Sequence, residues 1–283
     1  MAESEERIFK PRPKHLLPVV LGLAATGILA YPIVNSGAPA AQVTPFAGND
    51  LSSAIPDAVI FVLALGASAT VMLLMIRRGR MGFIRRMIKG ALIIVSFAVT
   101  LWYTTSLLPL DFSFLLALSL GVAALIGATV FGTGRIRQLL GVTALGALTG
   151  VFLGYSIPLM TALVLVGALV VYDIVAVFRG PVGALAKTVG AGDLPGAMYS
   201  YGELTIGMGD LVFYSLVATI AMLGFGLVSF FGAAIGILAG TYLGFRALSR
   251  FEMFPGLPFS LLLGVAGMLL PMAIATLVSL LHL

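Results

Sequence analysis

Residues 158–178 read PLMTALVLVGALVVYDIVAVF, an apolar run that contains a single charged residue, Asp173, near its end. A helix of about 20 apolar residues crosses a hydrocarbon core that is about 30 Å thick. Arg179 and a stretch rich in Gly, Pro and Ala follow the run and end it. The run therefore predicts a membrane-spanning helix that carries an acid inside the bilayer.

Eight further runs of similar length and composition bring the number of predicted spans to nine. The nine spans cover residues 16–34, 57–76, 88–108, 112–131, 139–157, 158–178, 206–229, 230–247 and 258–281. The whole chain of 283 residues is 60% apolar and only 10% charged, far outside the range of soluble domains. We predict an all-α polytopic membrane protein whose principal surroundings are the lipid bilayer.

The cations indicate how the spans are oriented. Four of the sixteen precede the first span, six lie between the second and third, and two each follow the fourth, sixth and eighth. All sixteen therefore lie on one side of the membrane. By the positive-inside rule, the N-terminus is expected to be cytoplasmic and the C-terminus outside, in a multi-pass protein of the plasma membrane. The basic balance thus reflects orientation, and no nucleic-acid partner is expected.

The start of the chain has a second interpretation, a cleavable signal peptide with a small-residue site at 38–40. Its apolar run is too long for this and favours a membrane span. The sequence has no Cys and only two His, which excludes disulfides, thiolate zinc sites, iron–sulfur clusters and Cys nucleophiles. We expect no metal and no cofactor.

Two carboxylates lie inside predicted spans, while most of the other nine lie in the tail, in loops or at helix starts. Asp173 is six residues before Arg179, and Asp210 is seven residues after Glu203. If both stretches are helical, each acid lies roughly 9 to 10 Å from a flanking charge. An acid at mid-bilayer costs about 2.5 to 3.5 kcal/mol, so two acids at matched depth indicate a function.

Two facing carboxylates in a low-dielectric site cannot both ionise easily, so one holds a proton while the other acts as a base. That pair can activate a water and polarise a peptide carbonyl, as in aspartic proteases. It can also relay protons in a transporter or share a proton as a packing contact. Composition alone leaves these alternatives open.

Three motifs separate the alternatives. Residues 170–178, VVYDIVAVF, resemble the Tyr-Asp motif in the sixth span of presenilins, and residues 207–215, GMGDLVFYS, resemble their Gly-x-Gly-Asp motif. Residues 255–264, PGLPFSLLLG, resemble the Pro-Ala-Leu motif that opens the ninth span. All three occur in the family's order and on its side of the membrane. The chain is similar to the presenilin and signal peptide peptidase family of intramembrane aspartyl proteases, and its few loops favour a prokaryotic, presenilin-like homologue.

The resemblance implies roles for particular residues. Asp173 and Asp210 would be the catalytic dyad, supported by Tyr172, Gly207, Met208, Gly209, Pro255, Gly256 and Leu257. Helix packing for the two Gly of the second motif, an interfacial aromatic for Tyr172 and an ordinary loop for Pro255 are the alternatives. Gly256 departs from the family, which usually has Ala there, and makes this turn more flexible.

The expected organisation is a single membrane domain, 1–283, with spans one to five in 16–157 as a scaffold. Spans six to nine in 158–283 would form the catalytic half, with an inner loop at 179–205. That loop and the Pro255 turn are expected to pair with a locally unwound substrate helix. The expected substrates are single-span proteins with their N-terminus outside.

Rival functions predict different features. Signal peptide peptidases share the motifs but are expected in the opposite orientation, and prepilin peptidases share only the Gly-x-Gly-Asp pattern. The alternative from another class is a proton-coupled transporter with the Asp pair as its proton site. Such transporters usually contain repeated halves, and no internal repeat is visible in the sequence.

Overall fold

The computed structural model describes residues 11–46, 48–132, 134–178, 196, 198–201, 204–249 and 255–281. Within these residues, nine helices are long and apolar enough to cross a membrane, which confirms the predicted spans. A short 3-10 turn, Pro13–Leu16, leads into the first of them. The helices are α1 (Leu17–Ser36), α2 (Leu51–Arg77), α3 (Met81–Leu107), α4 (Phe112–Val130), α5 (Arg135–Ser156), α6 (Leu159–Phe178), α7 (Met208–Phe225), α8 (Leu227–Leu248) and α9 (Leu257–Leu281).

Several boundaries differ from the sequence prediction for identifiable reasons. α2 begins six residues and α3 seven residues before the predicted spans, because helix continues beyond the apolar run into charged or polar residues. α7 ends at Phe225, earlier than predicted, because Gly226 has a φ of 86°, a left-handed conformation that ends the helix. α8 begins immediately afterwards, at Leu227.

A β-hairpin precedes α7 and was not predicted. Its strands are β1, Met198–Tyr201, and β2, Leu204–Gly207, which pair antiparallel with Met198 opposite Gly207. The predicted seventh span began at 206, so two of its residues are extended rather than helical. Most of the predicted inner loop, 179–205, lies outside the described residues.

A stripe of glycines joins α5 to α7, the two most buried spans. Gly146, Gly150 and Gly154 lie one turn apart on the face of α5 that meets α7. A Cβ added at Gly150 would lie less than 3.0 Å from Cβ of Ser215, and one at Gly154 less than 3.0 Å from the Leu216 carbonyl. Only glycine allows this approach, which holds α7 in the centre of the molecule.

A second stripe joins α8 to α9. A Cβ at Gly232 would collide with the carbonyl of Gly267, and one at Gly236 with the carbonyl of Leu263. Gly240, one turn further along, lies equally close to the start of α9. Because the backbones touch over about two turns, the first residues of α9 are fixed against the core that contains α7.

Candidate active site

The two intramembrane acids lie at the same side of the membrane domain, the side that carries the cations. Asp173 is five residues before the last residue of α6, and Asp210 is the third residue of α7. Both side chains are partly buried, and their carboxyl groups are close enough to interact electrostatically. The distance predicted between Glu203 and Asp210 assumed a helix between them. This assumption is wrong, because residues 204–207 form a strand, which has a longer rise per residue.

Asp210 belongs to the first turn of its helix. Gly207 precedes α7 with an extended backbone, and its amide lies near the Asp210 carboxyl group. This is the arrangement in which an acid at the third helical position reaches back to the residue before the helix. The helix start therefore positions the carboxyl group beside the extended residue that precedes α7.

Asp173 lies within the last two turns of α6, and its side chain contacts the start of another helix. The amide of Leu257, the first residue of α9, donates to Asp173 Oδ2 at 3.0 Å, and the Gly256 amide lies near the same group. These amides have no carbonyl partner within α9, since the first turn of any helix leaves its amides free. The start of α9 thus supplies the donors that a carboxylate needs inside a membrane.

The turn at residues 255–257 contacts both acids. A Cβ on Gly256 would lie 3.6 Å from Asp210 Oδ2, while the next residue, Leu257, binds Asp173. Pro255 is buried beside them and lines a cavity with Asp210. The predicted turn at 255–257 therefore lies between the two carboxyl groups.

The cavity next to Asp210 has a volume of about 150 Å³. Its polar lining comes from the side chains of Asp210, Tyr214, Thr205 and Thr241. A polar site of this size has room for several water molecules, each of which needs roughly 10 to 15 Å³. The cavity therefore has room for water beside the carboxyl group of Asp210.

A buried hydroxyl network, which the sequence analysis did not assign, lies under the turn. Tyr214 Oη lies 3.0 Å from Ser260 Oγ and donates to the Gly256 carbonyl at 3.4 Å. Ser260 also donates to that carbonyl at 2.9 Å and accepts from Thr241 Oγ1 at 3.2 Å. The network ties α7, α8 and α9 to the turn. Tyr214 and Ser260 lie inside the quoted motifs, but their contact across 46 positions is not visible in sequence.

The remaining predicted support residues have different surroundings. Tyr172 lies against α2, where a Cβ on Gly66 would lie 3.7 Å from its Cε2 atom. Met208 packs against the hydrophobic core. Gly209 is exposed, with open space where a Cβ would lie, so it leaves the approach to Asp210 unobstructed.

In the described part of the chain, no three His, Cys, Asp or Glu side chains lie close enough together to hold a metal ion. The groups that the structure brings together at this site are two neighbouring carboxyl groups and the backbone amides beside them.

Comparisons with known proteins point to one fold. No family model matches the chain, and no curated protein matches it. Two crystal structures of a presenilin family intramembrane aspartate protease, in space groups C222 and P2, are similar to it with a TM-score of 0.66 and 22% identity. The similarity covers 92% of this chain and 99% of the first structure, and 95% and 100% for the second. The chain therefore has the fold of the presenilin family intramembrane aspartate proteases.

Proposed function

We propose that this chain is a presenilin-like intramembrane aspartyl endopeptidase of the Gly-x-Gly-Asp type, with Asp173 and Asp210 as its catalytic dyad. The observation that carries the proposal is the convergence of both carboxyl groups on one turn. The Leu257 amide binds Asp173, and Gly256 lies beside Asp210. The fold shared with presenilin family proteases supports the same class of reaction.

The proposed reaction uses one proton shared by the pair. The ionised carboxylate takes a proton from a water in the cavity, and the water oxygen attacks the peptide carbonyl carbon. The protonated carboxyl group donates its proton to the carbonyl oxygen, which gives a tetrahedral diol. Collapse of the diol breaks the C–N bond as the leaving amine takes a proton from one carboxyl group, and a diol hydroxyl returns a proton to the other carboxylate, which restores the singly protonated pair. Water is consumed, and no cofactor is needed.

The turn at 255–257 would keep the dyad in a reactive geometry. The Leu257 amide at the start of α9 orients the Asp173 carboxyl group, and the Gly207 amide lies near that of Asp210. Because these amides are in place before substrate arrives, little reorganisation is needed during the reaction.

Substrate binding follows from the backbone around the cavity. A membrane helix hides its carbonyl groups, so a substrate must unwind locally before it is cut, and its exposed amides then need partners. β2 is extended, leads directly to Asp210 and contributes Thr205 and Ile206 to the cavity wall. We propose that β2 and the Pro255 turn receive the unwound segment as an added strand.

The side on which cutting occurs follows from the cations. The ends of α6 and α7 that carry the dyad are on the side to which all sixteen Lys and Arg were assigned. We propose that this side is cytoplasmic, in a multi-pass protein of the plasma membrane. The substrates would then be single-span proteins with their N-terminus outside.

The proposal is tested with purified protein in liposomes and a single-span reporter of that orientation. We expect wild type to release products whose masses place the cut within the span, and to conduct no protons. Asp111→Asn is the matched control for the same substitution at Asp173 or Asp210. It also changes a carboxylate, but this residue caps α4 through the Ser113 amide, far from the dyad. A folded wild type that never cuts, but shows proton flux dependent on Asp173 and Asp210, would establish the transporter alternative instead.

A further inference from the structure

The corner between α2 and α3 has an unusual density of positive charge. Six of the sixteen cations lie within residues 77–89, whereas each of the three other connections on this side carries two. We call residues 77–89 the basic corner. Its cationic side chains are all exposed: Arg77, Arg78, Arg80, Arg85, Arg86 and Lys89.

The length of the two helices places this corner at the level of the lipid headgroups. α2 and α3 have 27 residues each, so each is about 40 Å long, compared with about 30 Å for a hydrocarbon core. The excess length includes the cation-bearing ends, because charged side chains avoid hydrocarbon. The phosphate groups of the surrounding lipids lie at that depth.

The corner has a fixed shape. Gly79 turns the chain with a φ of 69°, and the Arg80 amide donates back to the Met75 carbonyl at 3.1 Å. On α3, the side chains of Arg85, Arg86 and Lys89 then project within an arc of about 100°. Lys89 Nζ lies 5.6 Å from the ring centroid of Phe131, the residue that follows α4, so this face extends toward the end of α4.

The opposite face of the same helical turns is apolar. Ile84 is fully buried and packs against the methionine-rich end of α2 and against Met198 of β1. The first turns of α3 are therefore anchored on one face and present their cations on the other.

The acids that the structure describes lie elsewhere. Of these five carboxylates, Asp50, Asp57 and Asp111 are on the opposite side of the membrane domain, at the starts of α2 and α4. The other two form the candidate active site. Orientation by the positive-inside rule requires cations on this side, but it does not require six of them at one corner, since two suffice at each other connection.

We propose that the basic corner binds the headgroups of anionic phospholipids in the leaflet that it faces. Clusters of four to eight Lys and Arg next to a membrane helix attract anionic lipid through the negative surface potential and direct phosphate contacts. Arginine is suited to this role because its planar guanidinium group binds phosphate oxygens in pairs.

The corner is mechanically connected to the hairpin that leads to Asp210. Besides the contact of Met198 with Ile84, Gly196 has a φ of 84° and lies against α3 and α4. A Cβ there would lie less than 3.0 Å from side-chain atoms of Leu92 and Val130. Bound lipid would therefore stabilise the hairpin and raise the cleavage rate, an effect that rests on the proposed function.

The binding claim is tested by native mass spectrometry of the full chain in neutral detergent, with phosphatidylglycerol or phosphatidylcholine added. We expect wild type to retain phosphatidylglycerol at least several-fold better than phosphatidylcholine. The triple variant Arg78→Gln/Arg80→Gln/Arg86→Gln should lose that preference. The control Arg12→Gln/Arg137→Gln/Arg246→Gln removes the same charge from other places on this side and should keep it.

Three outcomes would overturn the proposal: equal retention of the two lipids by wild type, equal loss in both triple variants, and displacement of the lipid by millimolar inorganic phosphate. The last would indicate a site for a single phosphate ion rather than a lipid surface. Cleavage in liposomes with and without phosphatidylglycerol is a separate readout. Absence of cleavage in every liposome would count against the proposed function and leave the lipid measurement to be judged by itself.

Discussion

The backbone amide of Leu257 donates a hydrogen bond of 3.0 Å to Oδ2 of Asp173, across 84 positions of the sequence. The bond joins the first residue of the last span to the sixth span. It uses an amide that the helix leaves unpaired, and it supports a carboxylate that would otherwise lie in a poorly solvated position. The turn that opens α9 is therefore part of the candidate site as well as a connection.

Removing this amide should impair cleavage more than it impairs folding. Leu257→Pro deletes the donor at the first helical position, where proline is tolerated. A hydrogen bond to a charged group is worth about 1.5 to 3 kcal/mol, so we expect a roughly 10- to 100-fold fall in kcat. Leu257→Ala keeps the amide and loses buried side chain, so it should lower the Tm with a smaller effect on kcat. Wild-type kcat in the proline variant would contradict the assigned role.

A small side chain should be tolerated at Gly256. Its φ is not positive, and an added Cβ would meet Asp210 Oδ2 at an ordinary contact distance of 3.6 Å. Gly256→Ala should keep cleavage within about twofold of wild type and raise the stability by about 0.4 to 1 kcal/mol. Gly256→Val adds methyl groups beside the carboxyl group and should slow cleavage roughly tenfold. Equal rates for the two variants would show that the turn does not border the reacting groups.

The hydroxyl of Tyr214 should matter for activity. Tyr214→Phe removes the contact with Ser260 and leaves a buried hydroxyl network incomplete, at a cost of about 1 to 3 kcal/mol. We expect slower cleavage because the Gly256 carbonyl is held less firmly. Tyr103→Phe removes a comparable bond, to the Leu29 carbonyl at 2.9 Å, away from the turn. It should lower the Tm while leaving the rate per folded molecule unchanged; parallel losses of rate in both variants would refute this prediction.

The contact of α5 with α7 should depend on glycine. Gly150→Ala would push Cβ into Ser215 and force the helices apart, at a cost of about 1 to 3 kcal/mol. Gly167→Ala on α6 is the matched control, because open space surrounds that position and alanine favours helix by up to about 1 kcal/mol. Thermal unfolding in detergent should show a lower Tm for the first variant and an equal or higher Tm for the second. The reverse order would mean that the helices are not packed this closely.

Much of the fold follows from the sequence because membrane spans have a simple physical requirement. Nine apolar runs of the right length predict nine helices, and the structure has them within its described residues. The hairpin was missed because the residues of β2, LTIG, continue the apolar run of α7 and differ from it only in backbone conformation. The end of α7 was misplaced because the conformation of Gly226, and not its hydropathy, decides it.

The candidate site was predictable where chemistry is unusual and local. A carboxylate in an apolar run is conspicuous, which is why Asp173 and Asp210 were identified from sequence. Tyr214, Thr241 and Ser260 are ordinary residues of membrane helices, and their connection depends on how three helices pack. The spacing of glycines in α5 is typical of close helix packing, but the sequence does not indicate which helix packs against them.

The most direct measurement of the central claim compares the single variants Asp173→Asn and Asp210→Asn with the double variant in reporter cleavage. Asparagine preserves size, so folding is checked by an unchanged Tm. If the carboxyl groups act as one dyad, each single substitution should slow cleavage by at least about a thousand-fold, and the double should lose no more. Substantial cleavage by either single variant, with a further loss in the double, would contradict a shared catalytic pair.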